Sequence, residues 1–226
     1  MSHNLPHDAE PKLDYLAKHP KGKILRNLSF NDFTFWGTDS LVSVIYTLFV
    51  IDHIDGGSAT IAGISFMISR FAGLLFTIPI GNLFDRIKGQ ADEIDGLIIS
   101  NLLCGIAYIG LSYANAIWHL YLAMFIIGVA RSIDVTAWRI LFYSNIKKNK
   151  YGETLGIYQT LMSLTMGMAV AMGGLIGDAF GYQIVMLTGG IMLLAGGLLP
   201  LMIRDLVEGS EKKTWRLLRF KQKVAD

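Results

Sequence analysis

Charge is scarce in this sequence. Only 17% of its 226 residues are Asp, Glu, Lys or Arg, against about 25% in an ordinary soluble domain. The deficit is uneven: long blocks hold almost no charge and short stretches hold most of it. Cysteine is nearly missing, and the lone Cys104 cannot close an internal disulfide. No apolar run follows Met1 closely, the pattern expected of a chain without a cleaved signal peptide. The formal net charge of +2 is too small to argue for a nucleic-acid partner. There is no phosphate-cradling glycine loop, no metal-ligand cluster at usable spacing and no nucleophile–base pair, so no enzyme, cofactor or metal is expected. His3, His7, His19, His53 and His119 fall in tails or at loop edges, where solvation is the expected state.

Apolar residues are what the chain has in quantity, 52% by count. They fall into six blocks, near 28–51, 59–81, 96–114, 117–146, 155–179 and 183–203. One membrane crossing takes about 20 mostly apolar residues. The chain therefore holds six crossings, but not twelve. The blocks are too long for strands, and an open sheet edge cannot be satisfied in lipid. The expected fold class is an all-α integral membrane protein with six transmembrane helices. Its expected parts are an N-terminal tail over 1–27, a six-helix domain over 28–203 and a basic C-terminal tail over 204–226.

Seventeen of the 20 Lys and Arg residues lie in the two tails, the second-to-third loop and the fourth-to-fifth loop. The alternate loops hold none. The positive-inside rule then predicts both termini in the cytoplasm of a cell (inner) membrane. Tyr113 and Trp118 fall at the outer interface and Trp215 at the inner one, where aromatic anchors are enriched. Residues 212–224 mix Trp215, Leu218 and Phe220 with basic residues. Both an interfacial helix on an anionic leaflet and a solvated tail fit that pattern.

Shifting the sequence by about 93 residues aligns Gly63-Ile64 with Gly156-Ile157, Gly81 with Gly174, Asp85 with Asp178 and Gly96 with Gly189. Helix 2 thus resembles helix 5. Three helices separate the copies, so they lie in opposite orientation, as in the inverted 3+3 repeats of secondary transporters.

After helix 2 the chain reads Gly81-Asn82-Leu83-Phe84-Asp85-Arg86, followed by Lys88, Gly89 and Gln90. This resembles the signature loop of the major facilitator superfamily, whose core is Gly-x-Leu-x-Asp-Arg at the same place between helices 2 and 3. In helix 5, Ala169-Val170 stands where family antiporters carry Gly-Pro ahead of Gly173-Gly174. The resemblance covers about 28–203 and implies half of the family's usual twelve-helix architecture. Such halves are parallel repeats related by an axis along the membrane normal. Two copies with the same topology are thus expected to assemble as a homodimer around a central cavity.

Ionisable residues at helix centres are expensive in lipid. Asp39, Arg70, Arg131 and Asp134 all fall there, with Asn31 and Asp32 near the start of helix 1 and Arg139 toward the end of helix 4. Arg131 and Asp134, three residues apart, share a helix face. One reading is a buried ion-pair cluster that fixes packing or dimer register. The other is a polar cavity for solute or protons. The resemblance implies that helices 1 and 4 line such a cavity, placing Asp39, Arg131 and Asp134 there with Trp36, Tyr46 and Trp138 as stacking surfaces. Asp39 and Asp134 are the candidates to carry a coupled proton. The resemblance also gives Gly81, Asp85 and Arg86 a cytoplasmic-gate role, with Asp85 held against a helix start in the other half. Gly156, Gly167, Gly173 and Gly177 of helix 5 give it a small-residue surface that fits packing within one copy or between two.

The function expected from these features is secondary active transport of a small solute across the lipid bilayer by alternating access. A non-transporting membrane scaffold, or a half that needs a different partner half, is the alternative.

Overall fold

The computed structural model describes residues 20–86, 89–147 and 150–204. Among these there are six helices and no strand: α1 Pro20–His53, α2 Ala59–Arg86, α3 Ala91–Ser112, α4 Ile117–Asn145, α5 Tyr151–Phe180 and α6 Tyr182–Gly196. All six are long and apolar enough to cross a membrane, the last counted as Tyr182–Arg204. The tail up to residue 19 and the segment 212–224 with Trp215 lie outside the described residues.

The helices overrun the apolar blocks, for identifiable reasons. α1 has 34 residues, about 50 Å at 1.5 Å per residue, well beyond the ~30 Å hydrocarbon core. Its first turns look like a tail because they carry Lys21 and Arg26. Both are exposed, while Ile24, Leu25 and Leu28 between them are buried. Pro20 at the helix start loses no intrahelical bond. α2 runs on through Arg86, so the Gly81–Arg86 motif occupies its last turns rather than a loop. Phe84 anchors this end against Gly96, where an added Cβ would meet its ring at 2.7 Å. α3 begins at Ala91, with Asp92 and Glu93 in its first turn, where the helix dipole favours acids. α6 breaks at Gly196, and 3.1 Å and 2.9 Å bonds from Leu198 to Ala195 and Leu199 to Gly196 tighten the chain. Pro200 follows, and it has no N–H to continue the ladder.

α4 packs chiefly against α2 and α3, α1 packs chiefly against α5 and α6, and α3 packs on α6. Direct contact between α1 and α4 is slight. Glycine makes the closest approaches possible. A Cβ on Gly128 of α4 would run into the Ser69 carbonyl and Ala72 of α2, and one on Gly173 of α5 would strike the Leu41 carbonyl of α1. Gly105 of α3 and Gly190 of α6 face each other, each within 2.9 Å of the other's carbonyl on the same test.

Buried apolar side chains form two clusters. One gathers at the end of the bundle that bears Lys21, Arg86, Lys147 and Arg204, around Leu28, Phe84, Leu97, Leu141 and Ile203. The other fills the opposite end, around Phe35, Phe49, Cys104, Ile127 and Met186. At that end Tyr113 and Trp118 are exposed. α2 and α5 carry the most open faces: 22% of an apolar 18-residue stretch of each is buried, against 44% to 56% for the other four.

Gly173→Val should lower stability by about 3 kcal/mol or prevent folding, since overpacking against a backbone carbonyl cannot relax. Gly156→Ala, where nothing lies within 4 Å of the new methyl, should change it by less than about 0.5 kcal/mol. Thermal unfolding in mild detergent compares the two.

Candidate functional site

A polar layer separates the two apolar clusters. Asn31 and Asp32 fall between Leu28 and Phe35 on α1, Ser100 and Asn101 between Leu97 and Cys104 on α3, and Arg131 and Asp134 between Ala130 and Ala137 on α4. Burying such groups costs free energy unless each finds a partner, and most of them do.

The first centre is an ion pair. The Arg131 guanidinium on α4 meets the Asp39 carboxylate on α1, and their side chains are only 12% and 16% exposed. Arg131 also donates to Ser69 Oγ of α2 at 3.0 Å. The Tyr108 hydroxyl of α3 donates to Asp39 at 2.7 Å. Four helices therefore converge on one pair of charges. Tyr46 closes the same region, its hydroxyl 2.5 Å from Ser65 Oγ and its ring 4.7 Å from Phe66.

The second centre lies nearer the basic end. The Tyr158 hydroxyl of α5 bonds to the Asp32 carboxylate of α1. Its ring lies within an aromatic cluster, 6.0 Å from Phe33, 4.7 Å from Trp138 and 5.2 Å from Phe142. Asp134 is fully buried, takes one long hydrogen bond from Ser100 at 3.4 Å and leaves Oδ2 without a partner. Trp36 stands beside both carboxylates. Next to this centre, Asn101 donates to Asn31 at 3.0 Å, joining α3 to α1.

The residues picked from the sequence thus separate. Asp39 and Arg131 meet directly. Asp134 shares a helix with Arg131 but belongs to the other centre. Trp138 stacks on Phe142 at 4.3 Å and donates to the Leu28 carbonyl at 3.3 Å, inside the apolar cluster of the basic end. Arg70 joins neither centre: it is exposed on α2 beside Met67, Phe71 and Leu74. Asp85 and Arg86 are exposed at the end of α2, and Gly81 is half-buried. Gly173 and Gly177 pack within the chain, on Leu41 and on Ile45 and Tyr182, while nothing lies near Gly156 and Gly167. Sequence reasoning missed Tyr158, Tyr108, Ser69 and Ser100. Their only signal was a hydroxyl inside an apolar helix, and aromatic or small residues carry that signal weakly.

A family model, the Major Facilitator Superfamily, matches residues 28–223. The chain belongs to the major facilitator superfamily. It is an integral membrane protein of a transporter family whose members move small solutes across the lipid bilayer. Comparison with curated proteins and with solved structures finds no match.

Arg131→Met leaves the Asp39 carboxylate buried without a counter-charge and should cost about 3–5 kcal/mol. Adding Asp39→Asn should recover a large part of that loss. A double-mutant cycle of unfolding free energies in detergent measures the coupling. Additive losses would mean that the two charges do not depend on each other.

Proposed function

We propose that the chain is a secondary active transporter that works by alternating access, built from two six-helix copies around a central cavity. The observation that carries this reading is the buried Asp39–Arg131 pair joining α1 to α4 in a member of this family. Charges kept at mid-depth in lipid default to solute and ion pathways. Tyr46 and Trp36, beside or between the two centres, are proposed to line the path, with a coupled proton as the candidate driving ion.

The helix pairing supports an inverted 3+3 repeat. Exchanging α1 with α4, α2 with α5 and α3 with α6 turns the α4–α2 contact into α1–α5 and the α4–α3 contact into α1–α6, and leaves α3–α6 on itself. The aligned Gly96 and Gly189 obey the same exchange, since Gly96 abuts Ala137 of α4 and Gly189 abuts Thr38 and Val42 of α1. Basic residues gathered at one end support cytoplasmic termini in the inner membrane. The open faces of α2 and α5, with uncovered Gly156 and Gly167 and the exposed Arg70, support a second copy as the covering partner. Trp138 lies outside the proposed path, because it is built into the packing of the basic end.

Two experiments test the reading. Uptake of a panel of labelled sugars, amino acids and organic ions is measured in proteoliposomes holding only this chain, with and without a proton gradient. Accumulation of one class, abolished by Arg131→Met, is expected, together with a dimer on crosslinking in mild detergent. A strictly monomeric chain that still transports would remove the two-copy arrangement.

Asp85 is proposed as a gate residue, since a carboxylate at the end of α2 can bind free N–H groups at a partner helix start. Asp85→Asn should raise thiol-reagent accessibility from the cytoplasmic side at a cysteine introduced at Ser132, with unfolding unchanged. Equal labelling in mutant and parent would refute the gating role.

A further inference from the structure

Asp134 presents a problem that the Asp39–Arg131 pair does not solve. It is 0% exposed, and one of its carboxylate oxygens has no partner. The charge that bears on it is another carboxylate, Asp32, itself 2% exposed. The groups facing the two acids are hydroxyl or indole donors: Ser100 from α3, Tyr158 from α5 and Trp36 from α1. Arg131 is turned toward Asp39, Ser69 and Tyr108. Arg139 is exposed and acts on Tyr158 rather than on Asp134. Among its described residues, α6 presents no charge to this centre before Arg204, which pairs with Asp95. On α2, Ser65 and Ser69 are engaged by Tyr46 and Arg131, Thr77 is exposed and donates to its own helix at Gly73, and Arg70 is exposed on the outer face.

Two carboxylates that are both buried and bear on each other's charge oppose being ionised together. Trp36 faces both acids, but their other donors are unequal. Asp32 holds a tyrosine hydroxyl, whereas Asp134 holds one long serine contact. Among the described residues no group of three or more His, Cys, Asp or Glu side chains gathers to hold a metal ion.

We propose that Asp32 and Asp134 form a proton-binding pair in which Asp134 carries the proton and Asp32 stays ionised, covered by Tyr158 of α5. This rests on the transporter reading and relocates its coupled ion. Asp39 is committed to Arg131, so the exchangeable proton sits at the second centre, nearer the basic end. Tyr158 is a positioning residue: it bonds Asp32 and belongs to a helix with an open outer face. Displacing α5 there would admit water to both acids, and the proton leaves as such to that water, with no other bond changed.

Infrared spectroscopy of the full chain in nanodiscs reads this directly. At neutral pH and without sodium, a protonated-carboxyl carbonyl band is expected. It should vanish in Asp134→Asn and persist in Asp39→Asn and Asp32→Asn. Tyr158→Phe should keep the band but hasten its hydrogen–deuterium shift several-fold, because the cover is loosened. A wild-type chain without the band overturns the proposal, whether or not the variants fold. So does a band that survives Asp134→Asn, or one that added sodium removes at constant pH, which would mark a metal-cation site. Loss of the band leaves solute uptake intact as evidence for transport. Uptake that fails while the band is present would remove the transport reading and leave the proton pair.

Discussion

A charge between helices in hydrocarbon must find its counter-charge inside the bundle, and Arg131 and Asp39 find each other across α4 and α1. Much follows from where these two helices sit. α4 is the helix on which α2 and α3 pack, and α1 is the one on which α5 and α6 pack. The two hubs touch each other only slightly. The ion pair, extended by Ser69 of α2 and Tyr108 of α3, is therefore a principal tie between the two three-helix groups. The α3–α6 contact at Gly105 and Gly190 is another, and Asn31–Asn101, Tyr46–Ser65 and Trp138 on the Leu28 carbonyl add polar ties. The polar ties are directional and the α3–α6 tie is a close backbone approach, so the groups can shift about the latter only if the polar ties yield.

The layer containing that pair also explains why the core is divided. An uninterrupted apolar core would pack equally well with one helix slid along another. The intervening Asn31–Asn101 bond and the Asp39–Arg131 pair each have one acceptable partner, so they fix the register. α5 enters this layer through Tyr158 and holds to α1 along its inner face, through Thr165 at Gly37 and then Gly173 and Gly177 at Leu41 and Ile45. Its outer face is open.

Much of the fold was legible because lipid imposes one rule. An apolar run of crossing length has to be a helix, and six such runs were plain. The ends were harder to read. Lys21 and Arg26 look like a solvated tail until Ile24, Leu25 and Leu28 are seen on the opposite side of the same helix. Gly81 looks like the start of a loop, but Phe84 buries the turn that follows and keeps it helical. In the site, formal charges advertised themselves, so Asp39, Arg131 and Asp134 could be named. Their pairing could not. Spacing puts Arg131 and Asp134 on one face of α4, but which neighbour each meets depends on helix rotation and on Gly128 drawing α2 close. Tyr158 carried no charge to mark it, and its role depends on a contact 126 residues away along the chain.

The ionisable groups placed in lipid meet their cost in three different ways. Arg131 and Asp39 neutralise each other within one chain. Asp134 meets no cation among the described residues, and in the proton pair proposed above it avoids its charge instead. Arg70 can do neither. An arginine does not give up its proton, and no acid of the described chain pairs with it. Left facing lipid near mid-depth it would cost about 2.5–3.5 kcal/mol. In the proposed two-copy arrangement the same α2 face would turn toward a water-filled cavity or a partner helix, and that cost would fall away. The position of Arg70 is therefore an electrostatic argument for a covering partner, independent of the family resemblance and of the small residues on α5.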